Sequence, residues 1–235
     1  MRTKRQRAPT NPLEAANRKD DDHFIADYLH PSSSSSSSSP PWVTEWTHPR
    51  TGAKSAISLA RPANLSERDL DACFDLIKET SQKDYENSVA RWHPDKKRKE
   101  MRSPELRYIL VKDDAGVVRG FTSLMPTYEE GQPVVYCYEI HLEPDLQGTG
   151  LGSLLMSFHT TVAKNLPPIT KVMLTCFVAN QRGLSFYRKL GFEQDEISPV
   201  PRKLRFGKVF TPDYIIMSKR VRSDDDNNEK PLLSE

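Results

Sequence analysis

The chain has 235 residues, enough for one ordinary domain plus tails, and a formal net charge of +2 that implies no partner by itself. Hydrophobic residues make up 36% and the mean hydropathy is −0.66, so part of the length is expected outside the core. Cys73, Cys137 and Cys176 stand far apart with no CxxC or Cys/His cluster, which speaks against zinc and a disulfide framework; with no apolar run of membrane-span length, a soluble, intracellular, metal-free protein is expected.

Residues 1–10 carry four basic residues and no acid. They read as a solvated, disordered start or as a weak nucleic-acid contact. Residues 12–30 could form a short helix. The run Ser32 to Ser39, closed by Pro40-Pro41, reads as a linker. Residues 1–41 are therefore expected to be a largely disordered arm, 42–221 the folded domain, and 222–235, with Asp224-Asp-Asp226, a disordered acidic tail.

From Trp42 the pattern suggests extended chain. Leu65, Leu70, Cys73, Phe74 and Ile77 then recur at helical spacing, with Ser66 as N-cap and Asp69 three residues on. A second helical stretch over 82–101 is interrupted near Pro94. Arg107 to Lys112, a turn at Asp113-Asp-Ala-Gly116 and Val117 to Met125 predict a hairpin, and Val134 to Leu142 a long aromatic and β-branched strand. A Gly-rich loop follows. Leu151, Leu154, Leu155, Phe158 and Val162 then line one face of a helix stopped by Pro167-Pro168. Lys171 to Phe177 is a strand, Leu184 to Leu190 a short helix ended by Gly191, and Asp213 to Ser218 a last strand. The order predicts an α+β, or mixed α/β, domain around one sheet.

The loop Gln147-Gly148-Thr149-Gly150-Leu151-Gly152-Ser153 joins a strand end directly to a helix start. Glycines admit close approach and unusual backbone angles, and the first-turn N–H groups with the helix dipole favour a phosphate. There is no Gly-Lys-Ser/Thr, and glycines at 148, 150 and 152 do not match GxGxxG, so two nucleotide motifs are set aside.

The spacing Gln147-x-x-Gly150-x-Gly152 resembles the Q/R-x-x-G-x-G/A signature of the GNAT superfamily of N-acetyltransferases, and Asn180 to Glu193 resembles its N-x-x-x-x-x-F-Y-x-x-x-G-F-x segment. The resemblance implies a central, mostly antiparallel sheet flanked by helices, with acetyl-CoA as cosubstrate. Tyr136-Cys-Tyr-Glu-Ile140, Lys171 to Thr175, Tyr214 and the upstream Tyr85, Trp92 and Met101 narrow it. Over about 65–220 the chain is similar to N-alpha-acetyltransferase D, a family that acetylates the N-terminal serine of histone H4 and histone 2A. Those tails are the partners it implies, with the nucleus and cytoplasm as location. A monomer is expected.

By that resemblance Glu139 is the general base, acting through a water; the plain alternative is a carboxylate satisfied within the sheet by an Arg or Lys. Tyr138 supports it at the substrate terminus. Tyr136 shares its side by period two, which packing alone could explain. Tyr187 is a candidate proton donor or, nearly as well, a core aromatic. The backbone of Ile140, His141 and Leu142 is expected to bind the acetyl carbonyl and pantetheine arm, and Gln147 to Ser153 the pyrophosphate. Asn180 would also contact the donor. Tyr85, Trp92, Thr175 and Tyr214 match peptide-contacting positions. Thr127 stands where the family has an aspartate, and Glu129 and Glu130 are candidates for the contact to a substrate arginine.

Two other readings stay open here. A lysine or a different N-terminus could be the acceptor. Trp92-His-Pro-Asp-Lys96 also carries the His-Pro-Asp signature of J-domain co-chaperones, though their partner helices are not recognisable.

Overall fold

A computed structural model describes residues 11–30, 42–203, 205–207 and 209–221. The basic stretch 1–10, the Ser run and the acidic tail lie outside the described residues.

One twisted sheet organises the domain. Its strands are β1 (Glu45–Thr47), β2 (Lys54–Ala60), β3 (Arg107–Lys112), β4 (Val118–Glu129), β5 (Gln132–Leu142), β6 (Lys171–Phe177), β7 (Glu193–Gln194) and β10 (Tyr214–Arg220). They lie in the order β1-β2-β3-β4-β5-β6-β10-β7, and β8 (Arg202–Lys203) pairs with β9 (Val209–Phe210) apart from it. Every neighbouring pair is antiparallel except β5 and β6, whose parallel pairing requires a crossover. That crossover is the Gly-rich loop and the helix after it. The architecture is mixed α/β with a mostly antiparallel sheet between helices, as the sequence predicts.

Helices cover both faces. On one, α5 (Leu151–Asn165) buries Leu151, Leu155, Phe158 and Val162 against Val135, Cys137 and Leu174, and α6 (Gln181–Lys189) adds Leu184. On the other, α3 (Glu67–Asn87) and α4 (Pro94–Met101) bury Leu70, Cys73, Phe74, Ile77 and Met101 against Tyr108, Leu110 and Phe121. Ser66 caps α3 as expected, accepting from Asp69 N at 3.1 Å. The predicted break near Pro94 is present, but α3 runs unbroken through position 82 to Asn87. The His-Pro-Asp tripeptide opens α4, with Pro94 in the first turn, where its missing N–H costs nothing.

The expected arm over 1–41 is corrected at its centre. Residues 12–29 form α1 (Pro12–Arg18), α2 (Asp21–Phe24) and a π-helical turn over Ile25–Leu29, and bury Leu13, Ala16, Phe24 and Leu29 in the α5-side core. The charge-rich sequence conceals these four apolar residues. Arg107, 0% exposed, anchors the segment. It donates to the carbonyls of Ala16 (3.2 Å) and Lys19 (2.6 Å) and to Asp21 (2.9 Å), and stacks on Phe24. A cation there satisfies carbonyls at the C-terminal end of α1. Burial still lowers its pKa to about 10 against the opposing charge of Asp21.

Candidate active site

The site begins with a break in the alternation of β5. Ser123 on β4 pairs with Glu139, but the next residue, Leu124, pairs with Cys137, so Tyr138 is the extra residue of a bulge. Val135, Cys137, Ile140 and Leu142 face the α5-side core. Tyr138 packs on the α3 side, and Glu139 and His141 meet α4 and α3 there too. Strict period two would put Glu139 and Tyr138 on opposite faces. The bulge puts them on one.

Glu139 is buried and fully engaged. Lys97 of α4 donates to its Oε1 at 2.9 Å and to Glu100 at 2.7 Å. His141 Nε2 lies 2.5 Å from its Oε2, and a carboxylate can only accept, so the Nε2–H is the donor. The other ring nitrogen sits 2.5 Å from the Thr80 hydroxyl of α3. Burial opposes the ionised form of Glu139, yet the charge of Lys97 and the His141 hydrogen bond outweigh it and hold the carboxyl well below its usual range. Lys97 is disfavoured by burial too, and the charge of Glu139 more than restores it. A lysine partner is therefore present as the plain alternative requires, from α4 rather than from within the sheet, on a carboxylate that shares its face of β5 with Tyr138.

The backbone of Glu139 is fixed from behind. Thr122 donates to its carbonyl at 2.7 Å and receives a hydrogen bond from His159 Nε2 of α5 at 2.8 Å. Burial lowers His159 to about 3, so the ring is neutral, and its buried Nδ1 has no hydrogen-bond partner among the described residues. Ser123, opposite Glu139, also carries a buried hydroxyl without a protein partner.

Beside the bulge the sheet opens. The β5–β6 pairing runs from Val134↔Lys171 to Cys137↔Leu174 and stops. Ile140, His141 and Leu142 thus present a strand edge toward β6 with no strand against it among the described residues. Past this wedge lies the Gly-rich loop. Gly148 and Gly150 have φ of 73° and 90°, and a Cβ at either would meet no atom within 4 Å. Gly150 is the N-cap of the 15-residue α5, so the amides of Leu151, Gly152 and Ser153 are first-turn donors. A Cβ at Gly152 would fall 3.3 Å from Phe186 of α6. The side chains of Gln147 and Thr149 brace the loop by donating to the carbonyls of Leu142 (2.9 Å) and Leu146 (2.5 Å). The groups offered to an anion are therefore backbone. Asn180 uses its side-chain oxygen to cap α6, accepting from Gly183 N at 2.7 Å. Tyr187 packs between Phe186 and Phe192 at the wedge, and burial raises its hydroxyl well above the ordinary value.

Aromatic side chains form a rim on this face of the sheet. Tyr136 packs on Tyr138 at 5.2 Å, and its hydroxyl lies 2.6 Å from Thr175. Tyr85 contacts Trp92 (5.5 Å) and Phe177 (4.9 Å), with Lys97 Nζ 5.2 Å from its ring centre. Tyr214 pairs with Phe177 across β10 and β6 and is partly exposed. Thr127 and Glu129 follow Met125 on one side of β4, and the charge of Glu129 acts on both Tyr136 and Tyr138. Burial and Glu130 raise the Glu129 carboxyl. Tyr85, Trp92, Tyr136, Tyr138, Thr175 and Tyr214, expected from sequence to contact peptide, thus stand near β5, β6 and β10. Lys97, Thr80 and the side chain of His141 were missed. A lysine in an 8-residue charged helix reads as solvated face, and no local pattern marks the one turned inward.

Comparison with known proteins matches residues 70–192 to the acetyltransferase (GNAT) family. N-alpha-acetyltransferase 40 of Saccharomyces cerevisiae is 31% identical over 155 residues, 56% of this chain. The chain spans about half of that relative, 54%. Among solved structures, Arabidopsis thaliana NAA60 in complex with a bisubstrate analogue has a TM-score of 0.50 at 10% identity, covering 72% of this chain and 99% of that one. An acetyltransferase from Streptococcus agalactiae has 0.52 at 15%, covering 70% and 98%. At these identities the two structures speak to the fold alone.

Proposed function

The chain belongs to the GNAT family of acetyltransferases, and we propose that it carries acetyl from acetyl-CoA to the α-amino group of a protein N terminus, the Ser-Gly-Arg start of histone H4 and histone 2A. One observation carries the reading: where β5 parts from β6, a backbone-lined wedge meets Glu139 and the aromatic rim across one strand. The similarity to N-alpha-acetyltransferase 40 supports an N-terminal acceptor. The histone tails follow from the resemblance in the Tyr136 to Ile140 strand, and the nucleus and cytoplasm are the matching location.

The residues fit the donor. Gly148 and Gly150 leave open space where side chains would otherwise project, and the first turn of α5 adds amides and dipole for a pyrophosphate. The open edge at Ile140 to Leu142 suits an amide-bearing arm, which Asn180 and Tyr187 would also meet. Bound there, the donor supplies a thioester carbonyl as electrophile. The rest is the work of the chain. Tyr85, Tyr136, Tyr138, Thr175 and Tyr214 confine the peptide's first residues, and Glu129 faces the cationic part of the tail in place of the aspartate lost at Thr127. An N-terminal amine has a pKa near 7.7–8 and is partly neutral at pH 7. As the C–N bond forms, its nitrogen becomes far more acidic than the free amine. Glu139, ionised throughout the neutral range, then draws the proton away through a water. Tyr187, kept protonated by burial, is the candidate proton donor to the departing thiolate.

The test compares Ser-Gly-Arg peptides with free and blocked N termini, each containing a lysine. Acetylation of the free α-amine alone is expected. Modification of the blocked peptide at lysine would overturn the assignment and favour a lysine acceptor.

A further inference from the structure

We infer that Lys97 is a positioning residue for the reaction: from α4 it pins the Glu139 carboxylate to the acceptor face of β5 and keeps it an anion where water is largely excluded. The inference rests on the acyl-transfer reading above, in which Glu139 receives the proton.

The placement of Lys97 is hard to explain otherwise. Of the eight residues of α4 only Lys97 and Met101, one turn apart, are buried. An apolar residue would suit that face, because an unpaired buried ammonium costs several kcal/mol. Its Nζ instead holds Glu139 at 2.9 Å and Glu100 at 2.7 Å, and lies over the ring of Tyr85. The other titratable groups felt by Glu139 cannot replace it. Tyr85 from α3, Tyr108 from β3 and Tyr187 from α6 are raised by burial and stay neutral. Cys137 of β5 is likewise held as the thiol, and Glu100 from α4 has the wrong sign. His141 of β5 supplies a hydrogen bond at the second oxygen. Lys97 is thus the lysine or arginine, among the described residues, that pairs with this carboxylate. It also joins Glu139 to Tyr85, so one side chain sets the distance between the proton acceptor and the peptide rim.

Replacing it separates this role from packing. In the wild type Glu139 is ionised well below neutrality, so from pH 5 to 7 it adds no proton loss to that of the substrate amine. Log(kcat/KM) should therefore rise with slope about 1. In Lys97→Met the largest influence that lowers the carboxyl pKa is gone, His141 alone opposes burial, and the pKa moves up. A second proton must then leave, the slope steepens toward about 2, and the loss in rate grows as pH falls, reaching about ten-fold or more near pH 5.5. Lys97→Gln, which keeps a donor without charge, should behave alike and serves if the Met variant does not fold. Lys97→Arg should restore the slope. Carbon-13 NMR of the Glu139 carboxyl needs no turnover: it should stay ionised down to about pH 4 in the wild type and titrate at higher pH in Lys97→Gln. An unchanged slope with a carboxyl that titrates as in the wild type would overturn the inference and leave Lys97 as packing. Failure of the wild type to acetylate any N terminus would instead sink the proposed function, while the NMR result would still decide whether Lys97 holds Glu139 ionised.

Discussion

The two sides of β5 are built from different material. The donor side, from Gly148 to Ser153, is almost all backbone: positive-φ glycines, first-turn amides and an unpaired strand edge, with Gln147 and Thr149 spent on holding the loop. The acceptor side is almost all side chains, drawn from β4, β5, β6, β10, α3 and α4. A backbone site suits a constant partner, because amides and a dipole recognise phosphate whatever the neighbours. A side-chain site can be retuned residue by residue. The contrast has a kinetic form: donor-side changes should act on the KM for acetyl-CoA, acceptor-side changes on kcat and the KM for peptide.

The largest expected effect breaks the acceptor side. Glu139→Gln should lower kcat by roughly 10²–10⁴, with the KM for acetyl-CoA nearly unchanged. A rate within three-fold of wild type, measured by single-turnover assay, would remove Glu139 from the proton path. Next comes the donor side. Gly150→Val forces a β-branched residue into φ 90° and fills open space beside the first turn. The KM for acetyl-CoA should rise about ten-fold or more while the peptide KM holds; a change confined to the peptide would reverse the two sides. Glu129→Gln should be milder, raising the KM for an arginine-containing peptide up to about five-fold at low salt and less at high salt. Equal effects on a peptide with alanine for that arginine would argue against a charge contact.

The smallest effect concerns the tie between the sides, His159–Thr122–Glu139. The pKa of His159 is lowered in the fold to about 3 from an ordinary 6.5, so the unfolded chain binds a proton that the folded one refuses. Stability present above about pH 6.5 is therefore lost progressively as pH falls toward 3. His159→Gln, which can still donate to Thr122, should flatten that dependence by about 1–2 kcal/mol between pH 6.5 and 4.5, read from urea unfolding. An unaltered pH dependence would mean that His159 is not the titrating group.

The residues around the site were read from sequence with uneven success. Strands, hairpin and helix caps announced themselves through local patterns such as Ser66 with Asp69 and the apolar stripe of α5. Tyr136 and Tyr138 share a face as period two predicts. Glu139 joins them only through a bulge, and a one-residue irregularity leaves no mark in the alternation of a strand rich in aromatics. Residues 12–29 read as a short helix within a largely disordered arm, since Leu13, Ala16, Phe24 and Leu29 are sparse among charges; their burial depends on α5 and Arg107, far along the chain.

By itself the sequence determined what is local: the loop from Gln147 to Gly152, the helix it starts, the block from Asn180 to Phe192 and hence the family. Backbone angles and first-turn donors are decided by neighbours a few residues apart, so spacing records them. Only the tertiary structure decided which charges matter. Lys97 and Glu139 are 42 positions apart, and their ionisation depends on a shared desolvated space that exists once α4 lies on β5. A buried charge is stabilised by whatever comes to meet it, and the linear chain does not record that meeting.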